Sequence, residues 1–270
     1  LNVESVIPFT YPANIIFCQY YRIMGVERCF WNQRDGGIDF KFNKLEIKAL
    51  NNSTKIISNS IEGEMFLKPF IKRDIVHISN GIDLNRFSKI SPNFNLRNAF
   101  MIGNIHKNKD HVTLIKAWAI VIKEFPNSKL FLIGCEGDNF QELKKLVALL
   151  GLNKKIEFTG LVDDVSEFFK NSCISVFSSQ NEGVPNGILE PMAAGFPVVS
   201  TNIQGSLEAL GDGYSFLAKP KDPMELADKI IALFNDIELM KRIGDSNRIR
   251  VAKLFSVDYM VNSFEKLINL

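Results

Sequence analysis

From about residue 97 onward, short apolar runs alternate with amphipathic segments, and this alternation restricts the possible folds more than any other feature of the chain. Strands are predicted at 99–102, 129–133, 155–159, 173–178 and 197–201, with a weaker sixth at 214–217. Helices are predicted between them near 110–125, 138–150, 164–171 and 186–194. In the first of these, Leu114, Ala117, Trp118 and Val121 recur at the spacing of a single buried helix face. Repeated strand–helix units of this kind build a parallel, doubly wound α/β sheet, because each crossover helix must lie on a face of the sheet. A helical tail follows near 223–235, 237–254 and 257–268, the last capped by Ser256.

The first 85 residues are less regular. The pattern predicts a helix over 12–24, a strand at 28–32, a loop over 33–40 and a helix near 43–51. A strand at 54–57, a helix near 60–68 and a strand at 75–78 follow. This reads as the second half of another nucleotide-binding-type domain. The expected organisation is therefore a partial, truncated N-terminal domain over 1–85 and a C-terminal domain over 86–270. The last helix, near 257–268, is free to pack back on the N-terminal part.

Composition excludes several classes. The net charge of +2 gives no electrostatic case for nucleic acid. The four cysteines show neither metal-type spacing nor disulfide density, and read as reduced thiols of a cytoplasmic protein. No apolar run reaches the ~20 residues of a membrane span, so no transmembrane segment is expected and peripheral contact at the inner membrane face stays open. No signal peptide is visible, although the sequence starts at Leu1. His77, His106 and His111 have no ligand spacing, so no metal is expected. The hydrolase elbow, the P-loop and the dinucleotide glycine fingerprint are all absent from the sequence.

The richest chemistry lies in Glu182-Gly-Val-Pro-Asn-Gly-Ile-Leu-Glu190, between the apolar runs at 173–178 and 197–201. A loop leaving a strand of a doubly wound sheet opens at its carboxyl edge, where ligands bind. Backbone amides and a helix N-terminus favour phosphate, while a carboxylate at each end can accept from sugar or ribose hydroxyls. The arrangement suits a nucleotide sugar.

This stretch resembles the Glu-x7-Glu signature of retaining glycosyltransferases of the GT-B fold, in particular glycosyltransferase family 4 (glycosyl transferases group 1). Val76-His-Ile-Ser-Asn-Gly-Ile-Asp83 with Phe87 is similar to the family's I-P-N-G segment, with Ser79 in place of the proline. Met101-Ile-Gly-Asn-Ile-His-Lys-Asn-Lys-Asp-His111 is similar to its G-R-L-x3-K segment. Leu130–Gly134, Ile156–Gly160 and Gly195–Thr201 follow in the family's order. The resemblance implies two Rossmann-like domains and a metal-independent transfer of sugar from a nucleotide-sugar donor to an acceptor hydroxyl, with retention and no cofactor. It implies a sugar or lipid-linked acceptor and a setting such as polysaccharide biosynthesis. About a hundred N-terminal residues of the family pattern are absent. The chain is therefore expected to be truncated or a reduced relative, or to be completed by a partner chain. Two alternatives stay open: a non-catalytic nucleotide-sugar-binding remnant or subunit, and another GT-B activity such as a sugar-nucleotide epimerase.

Carried over residue by residue, the resemblance gives Glu190 the donor ribose hydroxyls and Glu182 the donor sugar. Gly183, Val184, Pro185, Asn186, Gly187, Ile188 and Leu189 form the donor-binding segment between them. Gly103 is counted as donor-binding, Lys109 lies on the diphosphate, and Asn104 stands where the family commonly has an arginine, with Lys107 or His106 able to compensate. Arg34 and Asp35 occupy the place of a polar group facing the donor sugar. Glu182, Lys109, Arg34 and Asp35 are the catalytic candidates. Pro191 departs from the usual alanine and is expected to kink or shorten its helix. Glu208, in a loop Ile203–Glu208, reads as structural.

Overall fold

A computed structural model describes residues 3–34, 36–37 and 41–269. Their strands form two parallel sheets, one of four strands and one of six. The contacts divide the chain into two units. Unit 1 holds 1–81, 182–184 and 257–270; unit 2 holds 82–181 and 185–256.

In unit 1 the order is β1 (Ser5–Val6), α1 (Tyr11–Tyr20), β2 (Arg28–Gln33), α2 (Lys44–Asn52), β3 (Lys55–Ser58), α3 (Ile61–Leu67) and β4 (Ile75–His77). The strands lie in the sheet in that same order, β1-β2-β3-β4. The chain also returns at its end to add α11 (Val257–Ile268). Period-two alternation sorts the side chains. Cys29, Trp31 and Ile56 join Cys18, Ala49 and Leu50 in one buried cluster, while Phe30 and Ile57 join Ile78, Phe264 and Leu267 in another. Helix α2 starts where Asn43 accepts from the amides of Leu45 and Glu46, at 2.9 and 3.0 Å, while Glu46 accepts back from the Asn43 amide at 2.6 Å. The Asn-x-x-Glu spacing therefore closes a capping box.

Unit 2 continues with β5 (Ala99–Ile102), α4 (His111–Glu124), β6 (Leu130–Ile133), α5 (Phe140–Leu149), β7 (Ile156–Gly160), α6 (Ser166–Lys170) and β8 (Ile174–Phe177). Then come α7 (Asn186–Ala193), β9 (Val198–Thr201), α8 (Gln204–Leu210), β10 (Leu217–Ala218), α9 (Pro223–Phe234) and α10 (Ile237–Leu254). The strand order is β10-β9-β8-β5-β6-β7. It reverses between β8 and β5, the doubly wound topology in which a crevice opens at the carboxyl ends of the two central strands. Both faces are covered: every residue of β6, β8 and β9 is buried, as expected for an all-parallel sheet.

Four local features differ from the sequence expectation. The first helix stops at Tyr20, and Tyr21–Gly25 are turn residues ended by Gly25 at φ +74°. The two-residue β1 is too short to carry a period. The 203–208 segment, read as a loop, is the start of α8. Gly205 and Ser206 disfavour a helix by propensity, but both are buried there and Ser206 Oγ bonds Ser200 Oγ at 2.9 Å, so packing overrides propensity. Pro191 sits inside α7 without ending it. The helix instead stops in a Schellman motif, with the Phe196 amide donating to Pro191 O at 2.9 Å and Gly195 to Met192 O at 3.0 Å around Gly195 at φ +81°.

Candidate functional site

The switch point of unit 2 brings two loops together. One follows β5 and runs 103–110; the other follows β8 and leads into α7. Serines stitch them. Ser178 Oγ donates to Lys109 O and Asp110 O, each at 3.1 Å, and Ser179 Oγ to Asn108 O at 2.8 Å. The Gln180 amide also donates to Asn108 O at 2.7 Å. Ser179 is tied in turn to β9, its amide donating to Thr201 Oγ1 at 2.9 Å. Asp110 turns the chain in the left-handed conformation, φ 44°, and caps α4 by accepting from the Thr113 amide at 3.3 Å, while its second carboxylate oxygen accepts from Thr113 Oγ1 at 2.8 Å. Sequence reasoning did not single out this serine–threonine stitching. Its only trace is a Ser-Ser pair directly after an apolar run.

Of the predicted site residues, Gly103, Asn104, Lys109 and Pro185–Glu190 all belong to these two loops and to α7. Helix α7 begins after Pro185 with no side-chain cap. The amides of Ile188 and Leu189 donate to Pro185 O, while those of Asn186 and Gly187 have no partner among the described residues. A Cβ on Gly187 would lie 2.4 Å from Ile102 O, so the first turn of α7 rests directly on the end of β5. Lys109 lies with its aliphatic stem 3.6 Å from a Cβ placed on Gly103, and its ammonium 4.8 Å from the Phe177 ring centroid. The Asn104 side-chain oxygen accepts from the Cys135 amide at 3.0 Å and so ties the 103–110 loop to the end of β6.

Glu190 stands one turn into α7. Burial pushes its carboxyl above the usual carboxylate range, and the charge of Arg86 partly opposes this. Nothing in the motif spacing pointed to Arg86. His111, the first residue of α4, is buried, and its Nδ1 has no hydrogen-bond partner. Burial first, and then the charge of Lys109, hold its pKa down at about 4. Its folded value lies below its unfolded one, so its stabilising contribution is present above about 6.5 and is lost as pH falls toward about 4. Thermal unfolding should therefore show unit 2 losing up to about 1.4 kcal/mol per pH unit in that window. His111→Gln should flatten that dependence, and an unchanged slope in the variant would assign the loss to other groups.

The remaining candidates lie in unit 1. Glu182, Gly183 and Val184 belong to it, and a Cβ on Gly183 would come within 3.1 Å of Ser60 Oγ. Arg34 follows β2, with its guanidinium 5.2 Å from the Phe9 ring centroid and burial pressing its pKa down. Asp35 lies outside the described residues. Nearby, Asn59 Nδ2 donates to Arg34 O at 3.0 Å and to Asn80 Oδ1 at 3.1 Å. Glu208 lies in α8, and its carbonyl accepts from Arg250 at 3.1 Å. Among the described residues, no group of three or more His, Cys, Asp or Glu could hold a metal ion. Among the same described residues, no helix is long and apolar enough to cross a membrane.

The family model for glycosyl transferases group 1 matches residues 86–250. The chain belongs to this family. The matched span runs from just before β5 into α10 and includes both loops of the switch point. A glycosyltransferase of uncharacterised specificity from Haemophilus influenzae is 27% identical over 223 residues, covering 82% of this chain and 60% of that protein. The capsular polysaccharide biosynthesis glycosyltransferase CapM of Staphylococcus aureus is 28% identical, covering 79% and 60%. The N-acetyl-alpha-D-glucosaminyl L-malate synthase of Bacillus anthracis is 26% identical, covering 82% and 55%. The chain thus spans about 60% of the length of these relatives. Among solved structures, Anabaena Alr3699/HepE in complex with UDP and glucose superposes with a TM-score of 0.86 at 22% identity, covering 99% of this chain and 78% of that one. Sucrose-phosphate synthase from Thermosynechococcus elongatus gives 0.82 at 18% identity, covering 98% and 73%. These neighbours share the fold, which is of GT-B type with two Rossmann-like, parallel-sheet units.

Proposed function

We propose that this chain binds a nucleotide-sugar donor and transfers its sugar to an acceptor hydroxyl, with retention at the anomeric carbon and without a metal, as a member of glycosyltransferase family 4. The observation that carries the reading is that Lys109 and the uncapped start of α7 both pack on Phe177 at the switch point of unit 2, with Glu190 one turn further along that helix. Lys109 and the amides of Asn186 and Gly187 supply positive charge and donors for the diphosphate. As the bond to the sugar breaks, negative charge grows on the diphosphate, and groups already oriented toward it lower the barrier. Glu190 would accept from the ribose hydroxyls, and that contact would hold the donor in register. Glu182, Arg34 and Asp35 are assigned to the donor sugar. We take the acceptor to be a sugar or a lipid-linked acceptor; a polysaccharide setting fits the naming of the CapM relative, and UDP fits the Alr3699/HepE complex. The four free cysteines suit a reducing compartment, and we place the reaction in the cytoplasm, at the inner face of the membrane.

Calorimetry with UDP in EDTA tests the donor site. Saturable binding at micromolar to low millimolar UDP is expected. Binding that needs added Mg²⁺ or Mn²⁺ would overturn metal independence, and no binding at all would overturn the donor reading. Anomeric analysis of the product tests retention, and a new sugar nucleotide formed from donor alone would instead favour an epimerase.

A further inference from the structure

Unit 1 carries a second constellation, remote in role from donor binding. Glu64 on α3, His77 at the end of β4 and Ser79 two residues later form a chain of hydrogen bonds. His77 Nδ1 lies 2.7 Å from Glu64 Oε1, and His77 Nε2 lies 2.9 Å from Ser79 Oγ. A carboxylate only accepts. The proton of the neutral ring therefore sits on Nδ1, and Nε2 is left to accept from the Ser79 hydroxyl. This is the polarity of a nucleophile, a base and a carboxylate that orients the base.

Two further observations fit. By the resemblance described above, Ser79 stands where the family segment has a proline, and a proline supplies no hydroxyl. The backbone amides of Asn80 and Gly81 have no hydrogen-bond partner among the described residues. The first of these follows the serine directly, the position that contributes a donor to the oxyanion hole in many serine hydrolases. The His77 and Glu64 side chains are 34% and 21% exposed, so the group is open to a small molecule from solvent.

We propose that Glu64, His77 and Ser79 form an acyl-transfer site that takes small carboxylic esters, acetyl esters among them. Ser79 Oγ bonds to the ester carbonyl carbon as its proton passes to His77 Nε2. The bond from that carbon to the alcohol oxygen then breaks, and the departing alcohol takes the proton from Nε2. Water releases the acyl group by the same route, its oxygen ending in the carboxylic acid and the Ser79 hydroxyl restored.

The test treats the full chain with a fluorophosphonate, followed by intact mass and peptide mapping, and separately with p-nitrophenyl acetate. One phosphonyl adduct on Ser79 is expected, absent in Ser79→Ala, with a burst of about one nitrophenolate per chain. His77→Gln should slow adduct formation about 100-fold, the share of a general base. Glu64→Gln should slow it less, and it decides the matter if His77→Gln does not fold by circular dichroism. No adduct on Ser79 overturns the proposal. So does an equal labelling rate in a folded variant, because a purely structural hydrogen-bond chain would leave an ordinary, unactivated hydroxyl.

Discussion

Gly187→Ala should destabilise unit 2 by about 3 kcal/mol or more and remove nucleotide binding with it. The cause is space. Gly187 lies in the first turn of α7, where alanine is otherwise the better residue. Its new Cβ would lie 2.4 Å from Ile102 O and 3.1 Å from the Phe177 ring. The first obstacle is the backbone of a central strand and cannot swing aside. Helix α7 would have to lift off β5 and carry its free amides and Glu190 with it. In a unit of this size the loss corresponds to a fall in melting temperature of about 6–12 °C. Gly151→Ala is the contrasting variant. Its Cβ meets nothing within 4 Å, and only its φ of +69° opposes the change, at a cost of about 1 kcal/mol. If Gly187→Ala melted with the native protein and still bound UDP, the close seating of α7 on β5 would be wrong.

Glu190→Gln should separate binding from stability. If Glu190 accepts from both ribose hydroxyls, losing its charge should weaken nucleotide binding by about 1.5–3 kcal/mol, roughly 10- to 150-fold. The fold should respond the other way. Burial raises the carboxyl's pKa, so its contribution to stability is present at low pH and is lost as pH rises through the folded value. At neutral pH the buried charge opposes folding, and glutamine removes that opposition. The variant's melting temperature should therefore match or exceed the native one at pH 8, with the advantage gone at pH 4. A 2′-deoxyribose donor should bind the native protein worse than the ribose donor, and the variant should discriminate much less between them. Equal discrimination by both proteins would mean that Glu190 does not read the ribose.

Much of unit 2 was legible because its strands are short apolar runs bounded by glycines and turns. Those predicted at 99–102 and 197–201 lie within a residue of β5 and β9. The loops at 103–110 and 182–190 were legible because glycines, a lysine and glutamates at fixed spacing have few other uses. What was hidden depends on tertiary contact. Helix α8 contains a glycine and a serine that weigh against a helix, and only burial reveals it. The role of Asn104 looked like a weakened phosphate contact in the sequence. In the fold its side-chain oxygen is taken by the Cys135 amide, 31 residues away. Arg86 reaches Glu190 from a turn more than a hundred residues earlier, a distance that no motif encodes. His77 and Ser79 sat in a recognised segment, but the relay appears only when α3 brings Glu64 against β4.

The return of the C-terminal segment to unit 1 also bears on synthesis. Residues 1–81 leave the ribosome well before 257–270, yet Phe264 and Leu267 of α11 complete the cluster around Phe30, Ile57 and Ile78. At 5–20 residues per second, the stretch between 81 and 257 takes roughly 9–35 s to translate. Through that interval one face of the unit 1 sheet lacks its covering helix, while unit 2 gathers all its strands without waiting. The sheet of unit 1 is thus made before unit 2 yet able to finish folding only after it, and its uncovered apolar face is the surface a chaperone would have to shield on the way.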